Sequence, residues 1–120
     1  MASSEQLASF IGSNFRSVWT VALLLLLKQE GRACTNDEII SLMRASPSVV
    51  EKALVGLIAA GLADVDEGQA RYMPVNGEVA ALVEETEQLY RSKPDRVRRV
   101  IIMSSSKGLT AFSDAFRLKD

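Results

Sequence analysis

The 120-residue chain predicts a mainly α single domain that carries one small two-stranded β-ribbon. Three observations predict it. Apolar residues recur at helical spacing through most of the chain, with Ser, Thr or Asn ahead of each run and Gly behind several of them. Just after Gly61 the period changes to two, in short runs on either side of Asp66-Glu67-Gly68-Gln69. No internal repeat or long linker divides a length suited to one core.

Composition bounds the function before any motif is read. Apolar residues make up 48% of the chain, enough for a folded globule rather than a disordered one. The net charge of -1 gives no overall attraction to nucleic acid or to an anionic membrane. Cys34 is the only cysteine, so no internal disulfide can form, and a reducing, cytoplasmic location is expected. Histidine is absent, which removes the commonest metal ligand and general base, and with them a zinc site or a His-based catalytic group. The run from Val21 to Leu27 lies between Arg16 and Lys28, a gap far shorter than the roughly 20 residues that cross a bilayer. It has neither a basic start nor a small-residue cleavage site, so it reads as a buried helix and not as a signal peptide.

The elements follow in order. Ser3 or Ser4 caps a first helix with Leu7, Phe10, Ile11 and Phe15 at helical spacing, which Gly12 and Ser13 are expected to interrupt. A central helix runs from Arg16 to Gln29, and Gly31 stops it before an extended connection through Cys34. Thr35-Asn36-Asp37-Glu38 is a capping box, opening a short helix with Ile39, Leu42 and Met43 inward. Ser46-Pro47 opens the next helix after a link of about two residues. Its core face is Val50, Ala53, Leu54, Leu57 and Ile58, and Gly61 ends it. Leu62 to Val65 and Ala70 to Met73 form the ribbon, which Pro74 closes. Asn76 caps a long helix to Ser92, with Val79, Leu82, Val83, Leu89 and Tyr90 inward and Glu78, Glu84, Glu85 and Glu87 outward. Pro94 starts another helix with the stripe Val97, Val100 and Ile101. Leu109, Phe112, Phe116 and Leu118 suit a last amphipathic turn or two.

Helix, tight turn, helix and ribbon, in that order, are the parts of a winged helix-turn-helix with extra terminal helices, a module usually built to hold one helix against DNA. Residues 1-34 then supply N-terminal helices, 35-75 the helix-turn-helix and wing, and 76-120 C-terminal helices for dimerisation. The charge opposes the role. Residues 35-75 carry Arg44, Lys52 and Arg71 against Asp37, Glu38, Glu51, Asp64, Asp66 and Glu67. Residues 91-120 run the other way, with eight basic side chains against three acidic ones, a surface for phosphate or for an acidic protein partner.

Ser46-Pro47-Ser48-Val49-Val50-Glu51-Lys52-Ala53-Leu54, followed by Leu57-Ile58-Ala59-Ala60-Gly61-Leu62, resembles the winged-helix domains of bacterial transcriptional regulators. It looks most like the MarR-type and related small regulators, whose recognition helix ends in a similar L-x-x-x-G-L. The tail from Tyr72 through Leu89-Tyr90-Arg91 to Phe112 and Leu118 is similar to small bacterial winged-helix proteins. The resemblance implies base-reading positions at Ser46, Ser48, Val49, Glu51 and Lys52, with Arg71 on the wing. It departs from those regulators in lacking the Arg, Lys, Gln or Asn they usually place there. It also implies a homodimer on a palindromic site, and it admits a small-molecule effector that no residue here identifies.

Read from the residues themselves, Ser46 and Ser48 offer hydroxyls to phosphate, and Lys52 and Arg71 offer charge. The bland alternatives are a helix cap and solvated cations. The apolar termini (Leu7, Phe10, Ile11 and Phe15 at one end, Val97, Val100, Ile101, Phe112 and Phe116 at the other) exceed what a helix-turn-helix core covers, which also favours a dimer. No cofactor is implied, no phosphate loop is present, and Cys34 reads as a packing residue. The expectation is a DNA-binding transcriptional regulator and not an enzyme; the alternative is a winged helix that docks proteins without touching DNA.

Overall fold

The computed structural model describes residues 3-104. Helix α1 (Ser4–Asn14) opens with a complete capping box. Ser3 Oγ accepts from the Gln6 amide at 3.1 Å, and Gln6 Oε1 accepts from the Ser3 amide at 2.9 Å. The expected interruption at Gly12 is absent, and the helix runs on to Asn14. Glycine serves close approach here, because a methyl group at Gly12 would strike the side chain of Ser104.

Helix α2 (Val18–Glu30) leaves α1 at an angle of 102°. It begins two residues later than its apolar run suggested, with Ser17 as N-cap residue and the Ser17 hydroxyl turned to Thr20 Oγ1 at 3.2 Å. Gly31, at φ 64°, ends it in the left-handed region that favours glycine. α2 is the centre of the molecule. Leu23, Leu24 and Leu27 are fully buried, and the helix packs on the elements of the next segment.

Those elements are β1 (Cys34–Thr35), α3 (Asn36–Met43), α4 (Pro47–Ala59), β2 (Ala63–Asp66) and β3 (Gln69–Tyr72). The ribbon expected to be two-stranded is part of a three-stranded antiparallel sheet in the order β1-β3-β2. Cys34 pairs with Ala70 and Thr35 with Gln69, so the supposed connection is a strand. Two residues are too few to show a period, and only the pairing reveals them. The Thr35 capping box forms as expected, with Thr35 Oγ1 accepting from the Glu38 amide and Glu38 Oε1 accepting from the Thr35 amide, both at 3.2 Å.

The end of α4 explains the L-x-x-x-G-L pattern. The Leu62 amide donates to Leu57 O at 3.0 Å and the Gly61 amide to Ile58 O at 3.1 Å, a Schellman closure with Leu57 and Leu62 both fully buried. The pattern therefore records a helix stop. At the ribbon tip Asp66 pairs with Gln69, and Glu67 at φ 52° and Gly68 at φ 75° make a type I′ turn.

Helix α5 (Gly77–Ser92) is capped by Asn76, whose Oδ1 accepts from the Val79 amide at 2.8 Å. A break at Lys93 leads to α6, helical over 94-104 within the described residues. Ile11, Phe15, Val97 and Ile101, four of the terminal residues that favoured a second subunit, are buried within this one chain. Phe112 and Phe116, like the last expected helical turns, lie outside the described residues. Leu42 and Ile58 were expected inward, yet they are 52% and 42% exposed, because each sits at the margin of its helix's apolar stripe. Glu87 errs the other way. Its side chain is only 12% exposed and meets Lys28 Nζ at 2.9 Å, tying α5 to α2.

Candidate nucleic-acid interface

The link between α3 and α4 determines what the amino end of α4 presents. Arg44 ends α3 at φ 53° and ψ 41°, the left-handed region that costs an L-residue about 1–2 kcal/mol. Its side chain is exposed and makes no ion pair among the described residues. Ser46 then caps α4, its Oγ accepting from the Val49 amide at 3.2 Å. That bond uses an acceptor lone pair and leaves the hydroxyl proton for another partner. Pro47 follows at the first position, where no amide is needed.

Ser46, Ser48, Glu51 and Lys52 are all exposed at this end. Val49, beside them, is half-buried. Arg71 is exposed but stands apart, on β3 opposite Asp64. It lines a recess of about 370 Å³ with Leu27, Gly31, Arg32, Ala33 and Tyr72 beside the end of α2. Of the six expected contact residues, four are exposed together at this end, Val49 is half-buried among them, and Arg71 lies on β3. The structure adds Arg44. The signal for Arg44 was in the sequence: a two- to three-residue link between capped helices calls for a left-handed residue, and no glycine is there to supply it.

Of the neighbouring charges only Arg32, Glu38 and Glu30 are paired among the described residues. Arg32 meets Glu38 Oε2 at 2.7 Å and Glu30 Oε1 at 3.1 Å. The Arg32 guanidinium, helped by the Thr35 amide, holds the Glu38 carboxyl below its ordinary range, and Glu38 in turn raises Arg32. Burial pushes the Cys34 thiol up, against a smaller opposing pull from Arg32. Asp37, Glu51, Asp64, Asp66 and Glu67 form no ion pair among the described residues, so the field around α4 and the ribbon stays acidic except beside Arg44, Lys52 and Arg71. One turn beyond Lys52 the outer face of α4 becomes apolar, with Val55 62% exposed and Ile58 following.

Among the described residues no group of three acidic or cysteine side chains converges to hold a metal ion. No single helix there is long and apolar enough to cross a membrane. Comparison of the chain with known protein families, with curated proteins and with solved structures finds no match.

Proposed function

We propose that this chain is a winged helix-turn-helix protein that binds duplex DNA as a homodimer and regulates transcription, with the amino end of α4 as its reading head. The element order α2-β1-α3-α4-β2-β3 around one small sheet supports the fold reading. The observation that carries the functional reading is Arg44. A cation without an ion-pair partner among the described residues is held in a costly backbone conformation beside the open amino end of α4, where Ser46, Ser48 and Lys52 are also exposed. Strain of this kind is retained where it serves a site. In this reading the serine hydroxyls and the Ser48 amide position a phosphate, since Pro47 has no N–H and the Val49 and Val50 amides are bonded to Ser46, and Arg44 and Lys52 neutralise it.

The magnitudes require a dimer. Arg44, Lys52 and Arg71 neutralise at most three phosphates per subunit, and two subunits give a slope of log K against log salt of about -5. A single head, with half that slope, binds weakly at physiological salt. Fluorescence anisotropy on random duplex DNA across a salt series tests the proposal. Arg44→Gln and Lys52→Gln should each shallow the slope by about 0.9 per subunit. Binding that is absent, or independent of salt, ends this reading.

A second reading rests on Val55 and Ile58. An exposed apolar turn next to Glu51, beside an acidic ribbon, fits a protein partner with apolar and basic groups. Val55→Ser then abolishes partner binding and leaves any salt-dependent duplex binding as it was.

A further inference from the structure

We propose that the corner between α5 and α6 is a binding site for an oligophosphate that carries an apolar group, of the nucleoside di- or triphosphate class. The site is a recess of about 670 Å³ lined by Ser92, Lys93, Arg96, Arg99, Val100 and Met103, with Pro94 and Asp95 completing it. It is a surface recess open to solvent, not an enclosed cavity, which suits a charged ligand that stays partly hydrated.

The charges are what give it direction. Arg96 and Arg99 stand one turn apart, about 4.5 Å of helix rise, and Lys93 sits at the break just before them. None of the three forms an ion pair among the described residues. The nearby acids are already engaged. Asp95 Oδ1 meets Arg98 Nη1 at 3.0 Å, and Glu87 meets Lys28 and Arg91 at 2.9 Å and 3.1 Å. Lys93, Arg96 and Arg99 share the recess with a single carboxylate, Asp95, which is paired with Arg98, so a multivalent anion between the three cations relieves their mutual repulsion. Guanidinium groups match phosphate oxygens in a two-pronged geometry that a single carboxylate uses only once.

Val100 and Met103 supply the other half. At about 100° per residue, Arg96, Arg99, Val100 and Met103 share one side of α6, away from the buried Val97 and Ile101. Met103 is 62% exposed, and its polarizable thioether is suited to the edge or face of an aromatic ring. Cations beside an exposed Met103 and a half-buried Val100 fit a phosphate chain attached to a ring better than a bare inorganic anion. The site is separate from the head of α4 and does not depend on duplex binding there.

Calorimetric titration of the full chain at low salt, without divalent metal, tests this with tripolyphosphate and with a nucleoside triphosphate. Both should bind, the nucleoside triphosphate more tightly, and sulfate at matched ionic strength should displace neither. The triple variant Lys93→Gln/Arg96→Gln/Arg99→Gln should weaken both at least 100-fold, since removing each charge-assisted hydrogen bond costs roughly tenfold or more. Its far-UV circular dichroism should match the wild type, because all three side chains are exposed. No heat with either ligand, or equal affinity in the triple variant, overturns the proposal. Binding of duplex DNA or of phosphatidylglycerol vesicles that is abolished in the triple variant, with no oligophosphate heat in the wild type, overturns it as well and gives the corner to a macromolecule.

Discussion

Replacing Arg44 with glycine should stabilise the fold and weaken duplex binding in the same molecule. The backbone at Arg44 has φ 53° and ψ 41°. An L-residue there loses about 1–2 kcal/mol to the clash between its Cβ and the carbonyl oxygen. Glycine removes that clash but gives back about 0.5–1 kcal/mol through the larger freedom of the unfolded chain. The net gain is roughly 0.5–1 kcal/mol, worth a rise of about 2–4 °C in melting temperature for a domain of this size. No ion pair offsets it among the described residues, and the side chain is exposed. Arg44→Ala is the control. It removes the same charge but keeps the Cβ, so it should show no comparable gain. Thermal unfolding of the three proteins measures the first half. The salt slope of duplex binding measures the second, and both variants should shallow it by about 0.9 per subunit. If Arg44→Gly melts at or below the wild type, the strain argument fails. If it melts higher with an unchanged slope, Arg44 has no part in binding.

Four further outcomes follow from single interactions. Glu67→Asn should stabilise by about 0.5–1 kcal/mol in urea unfolding, because Asn-Gly is the preferred pair for the type I′ turn at residues 67 and 68. Lys28→Met should cost about 2 kcal/mol, between the value of an exposed pair and that of a buried one, because it leaves Glu87 12% exposed with Arg91 alone. Hydrogen bonding to Glu87 raises Lys28 above 10.5, so this contribution is complete at neutral pH and fades only in alkali above that value. Glu38 is depressed by Arg32, so its contribution is present above the ordinary value of 4.5 and fades as pH falls through its lower folded value; Glu38→Gln should flatten that acid limb of the stability profile. The thiol of Cys34 is buried and raised by that burial, so a disulfide reagent should label it only as fast as the protein unfolds.

Local rules were legible wherever a few neighbouring residues decide the outcome. Thr35 and Glu38 close their capping box, Ser46 and Asn76 cap their helices, and Gly31, Gly61 and Gly68 take the left-handed conformations the sequence predicts. Margins were less legible. Leu42 and Ile58 satisfy the helical period, but exposure depends on whether another element lies over that edge, and none among the described residues covers it. Glu87 has the composition of a solvated face, yet it turns inward because Lys28, 59 positions away, brings a counter-charge to it. The candidate head was half visible: the serines and Lys52 could be placed from the caps, whereas Arg44 was signalled only by a short link without glycine and was singled out by its backbone angle.

The amino-acid sequence alone determined where most helices lie, the caps at Thr35, Ser46 and Asn76, and the ribbon turn, because each depends on hydrogen bonds and dihedral preferences within about four residues. It determined the charge asymmetry too. Tertiary structure decided that Cys34–Thr35 is a strand, since pairing with Gln69–Ala70 joins segments far apart in the chain. It decided that Ile11, Phe15, Val97 and Ile101 serve their own chain, because burial is a property of what packs above a residue and not of the residue. And it set Arg71 on β3 beside the end of α2 while leaving Lys93, Arg96 and Arg99 without ion pairs among the described residues, for electrostatic partners are chosen by distance in space.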